Sequence, residues 1–564
     1  MQPDPRFDPQ PDTAVETPVD EHAAGAPADR LVDLVVRAGS LVDGSGSPAY
    51  DGDLAIDGGR IVALGDIGAI TGRDEIDARG CVVCPGFVNV LSHAYFTLQQ
   101  DPRGLSDLYQ GVTTQIFGEG VSLGPVTGAM TESMIELIGA LPEGARAAWP
   151  RLRDFLAHLE STGVGQNVAS FVGADNLRMS VAGIEGRPLD DDELARACAL
   201  LDEELADGAL GVGSALIYPP GTYADTRELT AYARVLARHD ALYISHLRNE
   251  GDRLLEAVDE LLAIARDSGA RAEIYHLKTA GRDNRPKMRP VLERIESARA
   301  AGIEVTADIY PYAAGSTLLA SAIPPPFHLG GADRLHERLG NPADRATITA
   351  AIRDGGDWES LWRMSGGAPG VVVLSHHPEI DVPAGSTIAD IAEARGDADP
   401  ITTLLDIVLA APHADAAYFI GDEDNTRLAF AHDWVSVGSD SDAPAADERF
   451  ADHPVHPRAF GTFARVLGRY ARDEAIVTPE EAIRRMTSLP ATNLRLRDRG
   501  LLTPGAYADV AVFRLADVTD TATYANPKSY ARGMRHVLIN GIPTLRDGTP
   551  TGALPGRALR RDTP

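Results

Sequence analysis

Eight short apolar runs, separated by longer stretches that carry helical patterns, constrain the fold more than any other feature of this chain. They are GFVNVL (86–91), VTTQIFG (112–118), NVASFVG (167–173), GALGVGSAL (208–216), ALYISH (241–246), RAEIYH (271–276), IEVTADI (303–309) and DWVSVGS (433–439). Between the fifth and sixth, Leu254, Leu255, Val258, Leu261, Leu262 and Ala265 recur at helical spacing. MRPVLERIESARAAG separates the sixth from the seventh in the same way. Strand and helix alternating at intervals of about thirty residues make βα units on a parallel sheet. Eight such units predict an α/β chain with a (β/α)8 TIM-like barrel. The run GVVVLSHH (370–377) does not fit the count. It is placed in an insertion around 318–430, on the face that carries active sites, a position from which an insertion can form a lid; the sequence leaves that role open.

The two chain ends have another style. LVVRAGSLVDGSG and GDLAIDGGRIVALGD near the start, and GAYADVAVFRL and HVLINGIPTLRDG near the end, are short β-rich runs broken by Gly and Asp. They predict a small β-sandwich domain built from 31–85 and 500–560, with the barrel at 86–499. Residues 1–30 are acidic and rich in Pro and Ala, which reads as a disordered tail; they lack the basic and apolar regions of a secretory leader. The formal net charge of −30 argues against nucleic acid and anionic membranes as partners. No apolar run has transmembrane length. Cys81 and Cys84 have no second pair to complete a structural zinc site, so packing is their expected role. Three cysteines in all and no leader suggest a reducing cytoplasm.

In such a barrel the reactive groups stand at the C-terminal ends of the strands. Here those ends carry His93, Glu119, Tyr218, His246, His276 with Lys278, Asp308 with Tyr310, and Asp440 with Asp442. A single histidine near a strand end is more often structural; two at the ends of consecutive strands point to a metal. Glu119, His246 and His276 would form a three-ligand zinc set with a position left for water. Asp440 is the candidate to accept the water proton and return it, with Asp442 as its rival. Arg248, two residues beyond His246, could meet an anion or serve structure. His376 and His377 fall in the insertion and read as surface or lid residues.

The order PGFVNVLSH, GVTTQIFGEG, GALGVGSALIYPPGTYA, YISHLRNEGD, IYHLKTAG, VTADIYPYAAGST, VGSDSD and HPRAFGTFARVLGRY resembles the N-acyl-D-amino-acid deacylases, the D-aminoacylases of the amidohydrolase superfamily. The resemblance runs from about Asp33 to Arg560. It implies that His246 and His276 bind metal and that Asp440 is the general base and acid. It implies that Lys278 holds the substrate carboxylate, and that Tyr218, Tyr310 and Ser316 lie near the acyl-amino acid. The chain departs from the family pattern twice. Leu91-Ser92-His93 stands where His-x-His is usual, and Gly118-Glu119-Gly120 stands where better-known members have a metal-binding cysteine. Glutamate can replace cysteine as a ligand; leucine cannot replace histidine. The expectation is therefore one zinc ion rather than two. His93 is left as a remnant ligand, a hydrogen-bond donor to substrate, or a packed residue.

The expected function is metal-dependent hydrolysis of N-acyl-D-amino acids, small-molecule substrates, by an enzyme of the cytoplasm. The alternatives are hydrolysis of another amide (a cyclic amide, a dipeptide with a D-residue or an acylated natural product) and a non-catalytic relative that only binds a ligand. The sequence carries no signal for oligomeric state.

Overall fold

The computed structural model describes residues 30–126, 130, 149–356 and 358–561. The acidic stretch read as a disordered tail lies outside the described residues, apart from Arg30.

The described residues begin with β1 (Leu31–Leu41), β2 (Tyr50–Asp57) and β3 (Arg60–Gly65), an antiparallel meander. Next, β4 (Thr71–Asp77) and β5 (Val82–Pro85) lie parallel to β1. β5 runs almost directly into β6 (Phe87–Asn89), the first barrel strand. Gly86 joins them because nothing larger fits: a Cβ there would stand 2.1 Å from Thr113 Cγ2. β7 (Val112–Phe117) follows, then β8 (Asn167–Ser170) and its continuation β9 (Val172–Gly173). The barrel goes on through β10 (Gly211–Ala215), β11 (Leu242–His246), β12 (Arg271–Ile274) and β13 (Val305–Ile309).

After β13 the chain leaves the barrel and forms a three-stranded antiparallel sheet from β14 (Gly315–Leu318), β15 (Val371–Val373) and β16 (Asp415–Tyr418), with β16 in the middle. This excursion has its own apolar cluster, which includes Leu319, Leu335, Ile348, Leu404 and Ile407. Its first strand starts at Gly315, and the helix Glu423–Phe430 at its far end packs back on β13, with Phe430 in the barrel's core. The apolar run at 370–377 supplies β15 and is not a barrel strand. β17 (Val435–Val437) then completes the barrel.

Every adjacent barrel pair is parallel. The ring closes between the first and last strands, where Asp440 N donates to Leu91 O (2.8 Å) and His93 N to Ser441 O (2.9 Å). These are the eight runs read from the sequence, and the fold is a (β/α)8 barrel. Its helices follow from simple periodicity. In the helix Leu254–Ser268, Leu254, Val258, Leu261 and Ala265 are buried one turn after another, and Gly269 ends it in the left-handed region at φ 74°. The last strands, β18 (Val510–Phe513), β19 (Met534–Ile539), β20 (Ile542–Arg546) and β21 (Thr549–Pro550), return to the first sheet. β18 pairs antiparallel with β5, so both chain ends share one nine-stranded sheet. Cys81 and Cys84 are packed within this region. No helix among the described residues is long and apolar enough to cross a membrane.

One buried polar contact ties barrel closure to the site. The Asn89 side chain bonds Ser439 twice, donating to its Oγ (2.8 Å) and accepting from its N (2.9 Å), and also donates to Asp107 (3.0 Å). Asn89→Leu should therefore lower stability by about 1–3 kcal/mol, because it leaves the buried Ser439 amide without its acceptor and takes one donor from the Asp107 carboxyl, which keeps Gln115 at 2.8 Å. Chemical denaturation measures this, and an unchanged midpoint would show that the closure does not depend on Asn89.

Candidate active site

The C-terminal ends of the barrel strands converge on Glu119. Gly118 makes this possible. It adopts φ 107°, and a Cβ there would meet Phe171 O at 2.4 Å. The chain therefore turns sharply after β7 and carries the Glu119 carboxylate over the barrel mouth. One of its oxygens, Oε1, lies 3.1 Å from both His246 Nδ1 and His276 Nε2. The other, Oε2, lies 3.2 Å from His93 Nε2. His93 Nε2 is also 3.1 Å from Asp440 Oδ1. Replacing Gly118 with alanine should cost about 1–3 kcal/mol in backbone strain and displace Glu119, so Gly118→Ala should lose metal as well as melting temperature. Normal metal content in that variant would show that the turn tolerates a side chain.

Two of these residues hold uncommon backbone conformations: His276 has φ 37° and Asp440 φ 51°. Such conformations persist only where the surroundings enforce them. Asp308, fully buried in β13, does this for His276 by accepting its backbone N–H at 3.0 Å. The Leu91 carbonyl does it for Asp440.

Charges balance closely here. Burial pushes the Glu119 carboxyl up, but bonds to three imidazoles more than reverse this and hold it well below the ordinary range. Burial also opposes ionised Asp440; Arg458, with Nη1 2.8 Å from Asp440 Oδ2, and His93 bring it below its usual value. Burial would lower His93, yet its bonds to Asp440 and Glu119 lift it to about 9. Lys278 donates to Glu250 Oε1 at 2.7 Å and stands 2.6 Å from His276 Nδ1. Glu250 in turn keeps the buried ammonium charged. Glu359, from the insertion, accepts the Glu250 backbone N–H at 2.6 Å, and burial beside the Glu250 carboxylate pushes it up to about 8.

Among the described residues, donor atoms come within metal-binding reach of one another in three sets: Glu119 with His246 and His276; His93 with Glu119 and Asp440; and His246 with Glu250 and Glu359. The donor chemistry fits zinc. His246 Nε2 is buried without a hydrogen-bond partner, as suits a ring positioned for something other than a protein contact.

The sequence-predicted residues fall out as follows. Glu119, His246, His276, His93 and Asp440 are brought together. Tyr218, Lys278, Tyr310 and Ser316 line the same pocket. Arg248 is engaged elsewhere: its guanidinium fork is taken by Glu260 at 2.8 and 3.0 Å and by the Ala224 carbonyl, which corrects the expected anion contact in favour of a structural role. Asp442, the rival base, is bonded by His453 and lies outside all three donor sets. His377 bonds Ser375 within the insertion. Sequence reasoning missed Glu250, Glu359 and Arg458. Glu250 follows His246 by four residues, a usable signal. Arg458 sits in HPRAFGTF, but its contact with Asp440 is a matter of tertiary packing.

An amidohydrolase family model matches residues 359–544. An N-acyl-D-glutamate deacylase of Alcaligenes xylosoxydans xylosoxydans is 35% identical over 94% of this chain and 97% of its own length. An N-acyl-D-aspartate deacylase of the same organism is 36% identical over 95% and 96%. This chain belongs to the N-acyl-D-amino-acid deacylase family of the amidohydrolase superfamily. Two solved structures of the family agree. One is an N-acyl-D-glutamate deacylase from Bordetella bronchiseptica with zinc and a phosphonate that mimics the tetrahedral intermediate (TM-score 0.76, 32% identity, 94% of this chain and 100% of that one). The other is a D-aminoacylase described by its binuclear metal centre, activated by one metal and attenuated by the second (TM-score 0.77, 31% identity, 94% and 100%).

The expectation of a single zinc ion is corrected by these findings. The absence of a histidine at Leu91, which is packed inside the barrel, argued for one ion. The geometry supplies a second donor set regardless, because Glu119 offers one oxygen to each side and Asp440 joins His93. Together with the binuclear centre of the related D-aminoacylase, this favours two zinc ions.

Proposed function

We propose that this chain hydrolyses the amide bond of N-acyl-D-amino acids, releasing a carboxylic acid and a D-amino acid. The observation that carries this reading is the convergence of two donor sets on Glu119 in a chain related along nearly its whole length to deacylases of that class. Glu119, His246 and His276 would hold one zinc ion, and His93, Glu119 and Asp440 a second. Bound zinc supplies Lewis acidity, which makes water nucleophilic at neutral pH and polarises the amide carbonyl.

The other steps fall to side chains. Asp440 is ionised and held by Arg458 and His93, so it can take a proton from the attacking water and pass it to the leaving nitrogen. Lys278 has three donors and uses them on Glu250 and His276, with capacity left for a substrate carboxylate. Tyr310 packs under both cations, with its ring 5.5 Å from Lys278 Nζ and 4.9 Å from the Arg458 guanidinium. Tyr218 and Ser316 would complete the substrate's surroundings. A small substrate and a cytoplasmic location belong to the same reading.

The test is amine release from paired D- and L-N-acyl amino acids by zinc-loaded protein. A preference for the D series of about 10²-fold or more is expected, since a misplaced substituent removes buried contacts. Equal rates on both series would remove the stereochemical reading. Turnover of cyclic amides alone would move the chain to another amide substrate.

A further inference from the structure

Beside the reaction pocket lies a second, much larger cavity of about 1190 Å3, against about 180 Å3 for the pocket itself. The two share several walls, among them Glu119, Ile217, Tyr218, Thr317 and Glu359. The far wall is built by the insertion and is apolar, with Ile323, Phe327, Leu335 and Leu339 among its side chains. Cavities of roughly 300–1,000 Å3 accommodate drug-sized ligands. An acetyl group would leave nearly all of this one to water.

We infer that this cavity binds the acyl part of the substrate and that the enzyme is selective for long, unbranched fatty acyl groups. The inference rests on the deacylase reading and adds to it the acyl class.

Direction decides between the acyl group and the D-side chain. In an N-acyl amino acid the side chain and the carboxylate both depart from the carbon next to nitrogen. The acyl chain departs from the carbonyl on the other side of the scissile bond. Here the groups suited to the amine side, Asp440 for the nitrogen and Lys278 for the carboxylate, line the reaction pocket and not the large cavity. The cavity meets the pocket mainly along Glu119, Ile217, Tyr218 and Thr317; Glu359, another shared wall, adjoins the Glu250 that holds Lys278. When hydrolysis breaks the C–N bond, the oxygen of water joins the acyl carbon and the proton passes to the nitrogen. The fatty acid would then be left in the cavity and the D-amino acid at Lys278.

Charge points the same way. The barrel wall of the cavity carries Asp175, Glu256 and Glu260. Arg248 is bound to Glu260, and Arg253 is also engaged. On that wall an acidic side chain, as in D-glutamate or D-aspartate, would find carboxylates and arginines already paired; the other polar groups, His328, His336, His413 and Glu359, stand on the insertion side. A methylene chain meets the insertion's apolar face instead.

The experiment is kcat/KM for acetyl-, octanoyl- and dodecanoyl-D-alanine, with acetyl-D-tryptophan as the side-chain control, on zinc-loaded full-length protein. A rise of at least about 10²-fold from acetyl to octanoyl is expected, because each buried methylene is worth about fourfold. Ser321→Trp, on the insertion wall of the cavity, should erase that rise and leave acetyl-D-alanine turnover within about twofold. If circular dichroism shows that variant unfolded, Leu329→Asp replaces it; Leu329 lines the cavity and is 38% exposed, so a carboxylate is tolerated there. Acetyl-D-alanine hydrolysed as well as the longer substrates would overturn the acyl assignment and leave the deacylase reading standing. A gain confined to acetyl-D-tryptophan would overturn it in favour of the side chain. No hydrolysis of any D-substrate would overturn both.

Discussion

Asp440→Asn should lower turnover by about 10²–10⁴-fold, the range for loss of a general acid–base group, and leave the protein folded. The amide keeps the shape of the carboxylate and its one oxygen can still face Arg458, but it gives up the second acceptor that met His93 and cannot accept a proton. The substitution also bears on the ion count. Asp440 belongs to the second donor set and not to the first. The variant should therefore keep one zinc ion on Glu119, His246 and His276 and bind the other less tightly. Amine release, metal content by emission spectroscopy and circular dichroism measure the three effects separately. Normal turnover would take Asp440 out of the mechanism. Loss of both ions would show that the two donor sets are not independent.

The barrel was legible because its signal is local. Each strand is an apolar run a few residues long, and each helix repeats its apolar side chains every three or four residues, as Leu254, Val258, Leu261 and Ala265 do. The residues at strand ends were legible for the same reason, since topology puts every strand end at one mouth. What escaped were contacts that depend on direction in space. Nothing local shows that Glu119 turns one oxygen to His246 and His276 and the other to His93. The ion count was therefore judged on Leu91, a visible loss, and not on the shared carboxylate, an invisible gain. Glu359 reaches the site from an insertion with its own core, and no spacing rule links it to Glu250. Arg248 misled in the opposite way: its place beside His246 suggested an anion contact, but Glu260, in the second turn of the following helix, takes the guanidinium.

His276→Ala should have the largest effect on metal. Losing a partner that only orients a metal ligand costs about 10–100-fold in affinity, so losing a direct donor should cost more. One complication is specific to this position. His276 sits at φ 37°, a region where asparagine is tolerated better than alanine. His276→Asn therefore separates strain from donor loss. If the imidazole is a ligand, both variants should lose zinc and turnover together, and the asparagine variant should keep the higher melting temperature. If His276 serves only to hold the chain against Asp308, the asparagine variant should keep its zinc. Lys278 adds a second readout. Its ammonium lies against the His276 ring and is balanced by Glu250. Removing the ring should leave that ion pair intact, so any loss of activity would trace to the metal and not to the substrate's carboxylate. Full zinc retention in both variants would rule His276 out as a donor and leave Glu119 and His246 short of a third ligand.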